Sequence, residues 1–538
     1  MARPRAGDTD PDSRGGLSSR AAATLAMALA LAIACTPVPA PEAPPGATGP
    51  PPFEEPPPAP REFRAAWVAV VANIDWPSRR DLAPAQQRAE MLSILDRARA
   101  MNLNAIILQV RPSADAIYPS AIEPWSEYLT NEQGRAPHPA WDPLAAWVEE
   151  AHARGIELHA WFNPYRARHN KAQSPLAPGH VARTHPQVVK SYGEYLWMDP
   201  GEPVAAQRTL DVILDVVRRY DIDGVHIDDY FYPYPEKVAG TTDVEIDFPD
   251  GPSWRAYQAS GGTLARADWR RQNVNALIER IHDAVRREKR WVRFGVSPFG
   301  LGRPDRRPVG IAGFSQYDKL YADVELWMRK CWMDYLAPQL YWPRAQAPQA
   351  FGVLLDYWIA QNACGRHLFP GLFTSRIDAS AQSWAPGEIV AQVAEVRRRP
   401  GSAGHIHFSM AALAQNRAGI ADALAAEYAQ PALVPASPWI DASPPAAPDV
   451  AVNVMPGGRV EIEAGARGDK PVASWAVWTR AGNEWRFTSF PRGQARMMLR
   501  PVGAAAIDRV VVSAVDRLGN ESRRVALELV PTARTTAP

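Results

Sequence analysis

The sequence predicts an α/β protein: a (β/α)8 TIM barrel followed by a small C-terminal β-sandwich of fibronectin type III kind. From residue 61 to about residue 430, short apolar runs alternate with longer amphipathic segments, the pattern of parallel strands joined by crossover helices. There are eight such runs, the number of strands in this barrel. After Pro435, short β-like runs recur about every ten residues with turn residues between them, which is typical of a sandwich.

The eight apolar runs define the predicted barrel strands. They span residues 64–70, 104–111, 156–163, 223–229, 293–300, 334–342, 368–376 and 404–410. A doubly wound open sheet is the alternative for a parallel pattern. No glycine-rich phosphate loop follows the first run, "RAAWVAVVANIDWPS", which counts against a nucleotide-binding sheet of that kind.

The N-terminal residues predict export. The run "AAATLAMALALAIA" (21–34) carries no charge, is short for a membrane span and has the length of a signal-peptide core. It ends at Cys35 after small residues, as a bacterial lipobox does, so Cys35 is the candidate lipidation site and a membrane the candidate partner. An ordinary cleaved signal is the alternative.

The expected divisions are a signal peptide (1–35), a proline-rich linker (36–60), the barrel (61–430) and the sandwich (445–533).

The composition bears on the possible partners. A formal net charge of +1 gives no basis for nucleic-acid binding. The 19 tryptophans favour a sugar-binding cleft, because apolar sugar faces stack on aromatic rings. Cys35, Cys331 and Cys364 form neither a disulfide framework nor a zinc-ligand spacing, and whether Cys331 and Cys364 pair is left open.

Strand alternation predicts which polar side chains line the barrel. Alternate residues of a strand share a face, and at least five of the predicted strands have one polar face. We expect these faces to point inward and to end at the C-terminal mouth, where barrel enzymes have their active sites. The residues concerned are Gln109, Arg111, His159, Trp161, Asn163, His226, Asp228, Gln339, Tyr341, His405 and His407.

Two adjacent carboxylates end the fourth predicted strand, in "DGVHIDDYFYPYP". A pair of carboxylates can act as acid and base on a glycosidic bond. Because adjacent positions rarely give two opposed carboxyl groups, we expect a partner for Asp228 from another loop, and a supporting role for Asp229. The candidates for that partner are Asp115, Glu123 and Asp378.

A zinc site is the other use for these residues. His159, His226, Asp228 and His407 could in principle surround the metal. No His-x-His lies on the first strand, where metal-dependent amidohydrolase barrels carry it. We therefore expect no metal and no cofactor.

Long loops follow the third and fourth predicted strands. They are rich in Tyr, Trp, His and Arg, which offer rings for stacking and donors for hydroxyl and acetamido groups. A groove for a long glycan is one interpretation, and local aromatic clusters are the other.

The motifs "EFRAAWVAVVANIDWPS", "QVRPSADAIYPS", "PWSEYL", "ELHAWFNPYR", "DGVHIDDYFYPYP", "FGVSPFG" and "DYLAPQLYW" resemble the glycosyl-hydrolase-like family ten proteins. These are bacterial exported barrel proteins, many of them lipoproteins, with members that cleave peptidoglycan glycan strands lacking peptides. The similarity runs from about residue 61 to about residue 428. It implies a (β/α)8 barrel, hydrolysis of glycosidic bonds and a catalytic centre at the aspartates of the fourth strand.

The fourth strand is also similar to two other barrel types, and neither mechanism transfers whole. In the α-amylase type, the acid is a Glu at the end of strand five, where this sequence has Ser297. In the chitinase type, the acid lies two residues after the aspartate that matches Asp228, and Tyr230 occupies that position. The general acid therefore remains unassigned.

The sequence thus predicts an exported glycoside hydrolase of the bacterial cell envelope, acting on a glycan polymer and anchored by lipid. The predicted catalytic residues are Asp228, Asp229, His226 and Asp115. The predicted substrate-binding residues are Arg111, His159, Trp161, Asn163, Arg166, Tyr230, Gln339, Tyr341 and Trp342. A non-catalytic glycan-binding lipoprotein and a metal-dependent polysaccharide deacetylase are the alternatives.

Overall fold

The computed structural model describes residues 54–501 and 505–529. The strands are β1 (Phe63–Val68), β2 (Ala105–Arg111), β3 (Glu157–Phe162), β4 (Arg166–Arg168), β5 (Val189–Tyr192), β6 (Tyr195–Met198), β7 (Gly224–Ile227), β8 (Arg293–Val296), β9 (Tyr335–Leu336), β10 (His367–Leu368), β11 (Gly371–Leu372), β12 (Gly404–His407), β13 (Asp449–Val454), β14 (Val460–Gly465), β15 (Ser474–Ala481), β16 (Glu484–Pro491), β17 (Arg496–Leu499), β18 (Ile507–Val515) and β19 (Val525–Glu528). The α-helices are α1 (Pro84–Ala100), α2 (Glu127–Thr130), α3 (Pro143–Ala153), α4 (Val181–Thr184), α5 (Pro203–Arg219), α6 (Gly251–Ala259), α7 (Arg266–Glu288), α8 (Gln316–Lys319), α9 (Val324–Arg329), α10 (Phe351–Gln361), α11 (Pro386–Arg397), α12 (Met410–Ala414) and α13 (Ile420–Ala425).

Nine short strands form one parallel sheet, in the order β10-β9-β8-β7-β3-β2-β1-β12-β11. β10 and β11 are two parts of the seventh predicted strand, which is interrupted at Pro370, a residue without a backbone N–H. The amide of Phe369 bonds to Leu336 O beside β9, and Ile406 N of β12 bonds to Pro370 O. The sheet curls with helices around it, as predicted, and is consistent with a TIM-like barrel.

Alternate residues of β1 belong to two different hydrophobic cores. Ala66 and Val68 pack in the outer core beneath the helices, where α5 contributes Leu210, Ile213 and Val217. These helix residues are spaced three and four apart, so they share one face. The inner core lies inside the curled sheet and contains Phe63, Ala65, Trp67, Ile107, Trp161, Tyr335 and Ile406.

The long loop predicted after the third strand contains regular structure. β4, β5 and β6 form a small antiparallel sheet in the order β4-β6-β5. β5 and β6 pair from Val189 with Met198 to Tyr192 with Tyr195. Gly193, at a φ of 56°, occupies the tight turn between them, where a side chain would be strained. Sequence analysis predicted this segment only as a long loop, without these three strands.

The C-terminal strands form two antiparallel sheets, β13-β14-β17 and β16-β15-β18-β19. Val460, Ile462, Trp475 and Val510 are among the residues that build the core between them. β13 follows a proline-rich stretch and was not predicted as a strand, although Val450, Val452 and Val454 alternate along it. The fibronectin type III class of these sheets stays a prediction.

The end of the predicted linker belongs to the folded unit that begins at Pro56. Ala59 is buried against Trp478, and the Nη1 of Arg524 donates to Pro56 O at 3.1 Å.

Cys35 lies outside the described residues. Within residues 54–501 and 505–529, no helix is both long and apolar enough for a membrane span. Cys331 and Cys364 form a disulfide.

Candidate active site

Asp228 directly follows β7, at the C-terminal end of the parallel sheet. Val225 and Ile227 pack in the outer core, as the alternation predicts. Gly224 faces the other way, and a Cβ at this position would come within 2.3 Å of the His159 ring. A larger residue at 224 would therefore displace the imidazole that fills the interior below the site.

The two oxygens of Asp228 have different surroundings. Oδ2 accepts hydrogen bonds from Trp161 Nε1 at 2.9 Å and from Asn163 Nδ2 at 3.2 Å. Oδ1 is buried and has no hydrogen-bond partner among residues 54–501 and 505–529. One oxygen is therefore fixed by N–H donors, and the other is available to a proton, a water or a substrate.

Burial raises the pKa of Asp228 to about 7. The negative charge of Asp229 raises it further, whereas Arg166 and the donors Trp161 and Asn163 act in the opposite direction. A group with this pKa is divided between acid and carboxylate at neutral pH. It can therefore both give and accept a proton, as acid–base catalysis requires.

Asp229 is held by residues on its other side. The Tyr234 hydroxyl donates to its Oδ2, and the side chain of Gln339 also hydrogen-bonds to it. Burial raises the pKa of Asp229, and these two bonds lower it. Gln339 Nε2 also donates to Ser297 O at 3.1 Å, which fixes the amide.

Arg166 is buried beside both aspartates. Its guanidinium lies 4.7 Å from the centroid of the Tyr230 ring, and its Nε and Nη2 donate to Pro112 O. Its backbone N donates to Asn163 Oδ1 at 2.9 Å, which orients the amide that reaches Asp228. The positive charge lowers the pKa of both aspartates.

Arg111, predicted to contact the substrate, ends β2 and lies in a buried ion pair. It forms a fully buried pair with Glu123, through Nε to Oε2 at 2.8 Å and Nη2 to Oε1 at 2.6 Å. Its Nη1 donates to the carbonyls of Asn163 and Pro164. The structure thus gives Arg111 no surface for a substrate. It holds the segment that presents Asn163.

His226 and His159 fill the interior beneath the site. Trp67 Nε1 donates to His226 Nε2 at 3.1 Å, and the Tyr335 hydroxyl bonds to Nδ1 of both histidines. Burial lowers the pKa of His226 well below its usual value, so the ring is neutral. Both rings are buried and hydrogen-bonded to protein groups, and a catalytic role for His226 and a substrate contact for His159 stay predictions.

The three carboxylates proposed as partners of Asp228 have other contacts. Asp115 accepts from Ser113 N and from the Ser126 side chain within its own loop. Glu123 is enclosed by its arginine pair, and the exposed Asp378 bonds to Ser380 N. Burial raises the pKa of Asp115 to about 6, but its recorded contacts are with these serines.

His405 and His407 point outward. Both Nε2 atoms bond to the Tyr428 hydroxyl in the helix layer, whereas Ile406 belongs to the inner core. Their predicted inward orientation was wrong, because the polar partner comes from a distant segment of the chain. No group of three or more potential metal ligands occurs in the described part of the chain.

Partly exposed aromatic rings form two groups, one of which contacts Asp229 through Tyr234. Tyr341 stacks on Phe373 with centroids 4.9 Å apart, and its neighbour Trp342 meets Phe299 edge to face at 5.5 Å. Tyr234, which bonds to Asp229, stacks on Phe314 at 5.2 Å. Consecutive residues 341 and 342 thus contribute to two separate ring groups.

Two residues of the mouth were not predicted. Tyr234 lies in the quoted motif "DDYFYPYP", and its spacing from Asp229 gives no sign of the contact. Asp75 follows the first strand. It accepts from Ala69 N through one oxygen and from Ser409 Oγ and Ala411 N through the other. The sequence could have indicated Asp75, because it is an acidic residue that follows a predicted barrel strand.

Comparison with known proteins identifies the family. Residues 62–385 match the family model Glycosyl hydrolase-like 10. Glycosyl hydrolase YngK of Bacillus subtilis (strain 168) is 42% identical over 398 residues, which cover 72% of this chain and 76% of YngK. Glycosyl hydrolase DigH of Escherichia coli (strain K12) is 34% identical over 340 residues, 59% of this chain and 74% of DigH. The solved glycoside hydrolase domain of PgaB (BpsB) from Bordetella bronchiseptica aligns with a TM-score of 0.46 and 16% identity, covering 68% of this chain and 98% of that domain. The chain belongs to the glycosyl hydrolase-like 10 family, as its motifs predicted.

Proposed function

We propose that this protein hydrolyses glycosidic bonds of a cell-wall polysaccharide, with peptidoglycan glycan strands that lack peptides as its substrate. The observation that carries the proposal is Asp228. It has a pKa of about 7, one oxygen fixed by two N–H donors and one oxygen without a partner among the described residues. This combination suits a group that protonates a leaving-group oxygen and then activates water.

The aromatic side chains support a polymer as the substrate. Tyr341 and Trp342 are half-buried and belong to two separate ring groups. Sugar rings stack on such side chains through their apolar faces. The two ring groups would bind sugar units on both sides of the cleaved bond.

Export to the bacterial cell envelope, with a lipid anchor at Cys35, is part of the proposal. The Cys331–Cys364 disulfide supports it, because disulfides persist mainly in oxidising compartments outside the cytosol. Labelling with a radioactive fatty acid tests the anchor, and the Cys35→Ser variant is the control that should not incorporate label.

The activity is tested with purified protein and peptide-free glycan strands, with products resolved by mass. Shorter strands, with one water added for each bond cleaved, support hydrolysis. Unchanged strands that co-sediment with the protein would indicate a binding protein instead. Loss of acetyl groups at constant strand length, abolished by EDTA, would indicate a metal-dependent deacetylase.

A further inference from the structure

The two aspartates are consecutive residues that follow β7. Asp228 is bonded to Trp161 and Asn163 on the β3 side, whereas Asp229 is bonded to Tyr234 and Gln339 on the other side. Glycosidases with two catalytic carboxylates place them on opposite faces of the bond, about 5–5.5 Å apart for retention or about 6.5–9.5 Å for inversion. Adjacent positions in one segment rarely present two opposed carboxyl groups, so this mechanism would need a second carboxylate from another element.

The other carboxylates near the mouth are occupied. Glu123 is closed in its pair with Arg111, and Asp115 is bonded within its own loop. Asp75 accepts three hydrogen bonds from protein donors, with both oxygens used. Within residues 54–501 and 505–529, these contacts leave the pair without an assigned carboxylate nucleophile on the opposite face.

We propose that the nucleophile is part of the substrate: the carbonyl oxygen of a 2-acetamido group attacks the anomeric carbon, with Asp228 as general acid and base and Asp229 as the carboxylate that accepts the acetamido N–H. This inference rests on the proposed glycosidase function. It restricts the substrate to glycans with a 2-acetamido sugar on the non-reducing side of the cleaved bond.

The reaction balances in two steps. In the first step, the acetamido oxygen forms a bond to C1, the bond between C1 and the leaving-group oxygen breaks, and that oxygen takes the proton of Asp228. The product is an oxazolinium ion whose N–H is bonded to the Asp229 carboxylate. In the second step, Asp228 takes a proton from water, whose oxygen attacks C1, and the ring opens to restore the acetamido group. Two displacements at C1 leave its configuration retained.

The hydrogen bonds divide these roles between the two residues. Asp228 Oδ2 accepts from two N–H groups and cannot carry a proton without losing one, so its proton lies on Oδ1. Asp229 receives an O–H donor and an amide donor, which favour its ionised form as an acceptor for the acetamido group. Burial and the charge of Asp229 raise the pKa of Asp228 to about 7, which keeps its proton available near neutrality.

Chemical removal of the acetyl groups tests the substrate requirement. Wild-type protein should cleave peptide-free strands, should fail on strands whose sugars have been de-N-acetylated, and should recover on the same strands after re-N-acetylation. A sugar thiazoline, a stable analogue of the oxazolinium ion, should inhibit competitively. The product anomer, followed by NMR in the first minutes, should retain its configuration.

The outcomes separate this inference from the proposed function. Inverted product, or equal cleavage of de-N-acetylated strands without thiazoline inhibition, would overturn acetamido participation while leaving the glycosidase function intact. No cleavage of any strand would overturn the function itself.

Two variants test the division of roles on a 4-nitrophenyl glycoside of an N-acetylated disaccharide and on intact strands. Asp228→Asn should lose about 10²–10⁴-fold on strands and much less on the nitrophenyl substrate, whose leaving group needs no acid. Asp229→Asn should lose activity on both substrates. If Asp229→Asn instead lost activity mainly on strands and Asp228→Asn lost it on both substrates, Asp229 would be the general acid and Asp228 the acceptor of the acetamido N–H. The Asp75→Asn variant, checked for an unchanged melting temperature, should still cleave strands with retention of configuration. If this variant were inactive and the wild-type product were inverted, a two-carboxylate mechanism would be established.

Discussion

Trp161 and Asp228 are joined by a hydrogen bond in which the indole Nε1 donates to Oδ2 over 2.9 Å. The residues come from neighbouring strands, β3 and β7, and the strand register pairs Trp161 with His226, two positions before the aspartate. The hydrogen bond therefore depends on strand pairing in the sheet. It links the protonation of the carboxyl group to the sheet geometry.

Trp161→Phe should shift the pH dependence of hydrolysis upward. The indole donor lowers the pKa of Asp228, so removal of the donor raises that pKa above about 7. Hydrogen bonds to charged groups contribute about 1.5–3 kcal/mol, which corresponds to about one pKa unit or more. Because the first step needs protonated Asp228, the alkaline limb of kcat/KM should move up by about one unit.

The matched control for this shift is Trp342→Phe. Its indole contacts Phe299 rather than the aspartate, so the variant should keep the wild-type alkaline limb. An unchanged limb in Trp161→Phe, with the fold intact by circular dichroism, would show that another group sets the pH dependence.

Arg111→Met should destabilise the protein strongly. Within residues 54–501 and 505–529, the variant leaves the buried Glu123 with Arg208, at 3.3 Å, as its remaining ion-pair partner. Removal of one member of a buried pair typically costs about 3–5 kcal/mol in the free energy of unfolding. Urea unfolding measures the loss. Arg79→Ala, which breaks an exposed pair with Asp81, is the control and should cost less than about 1 kcal/mol. A loss of glycan affinity at unchanged stability would instead place Arg111 against the substrate.

Tyr341→Ala and Trp342→Ala should each weaken the binding of glycan strands. Aromatic contacts contribute about 0.5–1.5 kcal/mol beyond the buried area, so we expect about a tenfold rise in KM with a smaller change in kcat. Trp291→Ala is the control, because this exposed indole lies just before β8, at the opposite end of the sheet from Asp228. Equal effects of all three substitutions would show that the two ring groups are structural.

Loss of the disulfide should lower stability without changing the site. Cys331 and Cys364 are separated by 33 residues, and closure of a loop of this length stabilises by about 3–4 kcal/mol in the chain-entropy account. The Cys331→Ser and Cys364→Ser variants should unfold at equally reduced urea concentrations, and the double variant should match the single ones. Additive losses would indicate that the two residues contribute separately.

Periodicity predicted the strands and the direction of Asp228, because both depend on local alternation. It failed for His405 and His407, whose partner Tyr428 comes from a segment about twenty residues later in the chain. It also did not reveal that Glu123 binds the guanidinium of Arg111. The Tyr234–Asp229 contact depends on how the loop after β7 folds back, and residue spacing does not encode it. The sequence therefore did not predict the polar contacts between side chains from distant segments.

The most direct test of the account is the rate at which Asp228→Asn cleaves peptide-free glycan strands, compared with the wild type at pH 6–7. Asparagine preserves the size of the side chain and removes the transferable proton. The account predicts a loss of about 10²–10⁴-fold at an unchanged melting temperature, with the exposed Asp378→Asn variant at the wild-type rate. A folded Asp228→Asn protein that cleaves as fast as the wild type would contradict it.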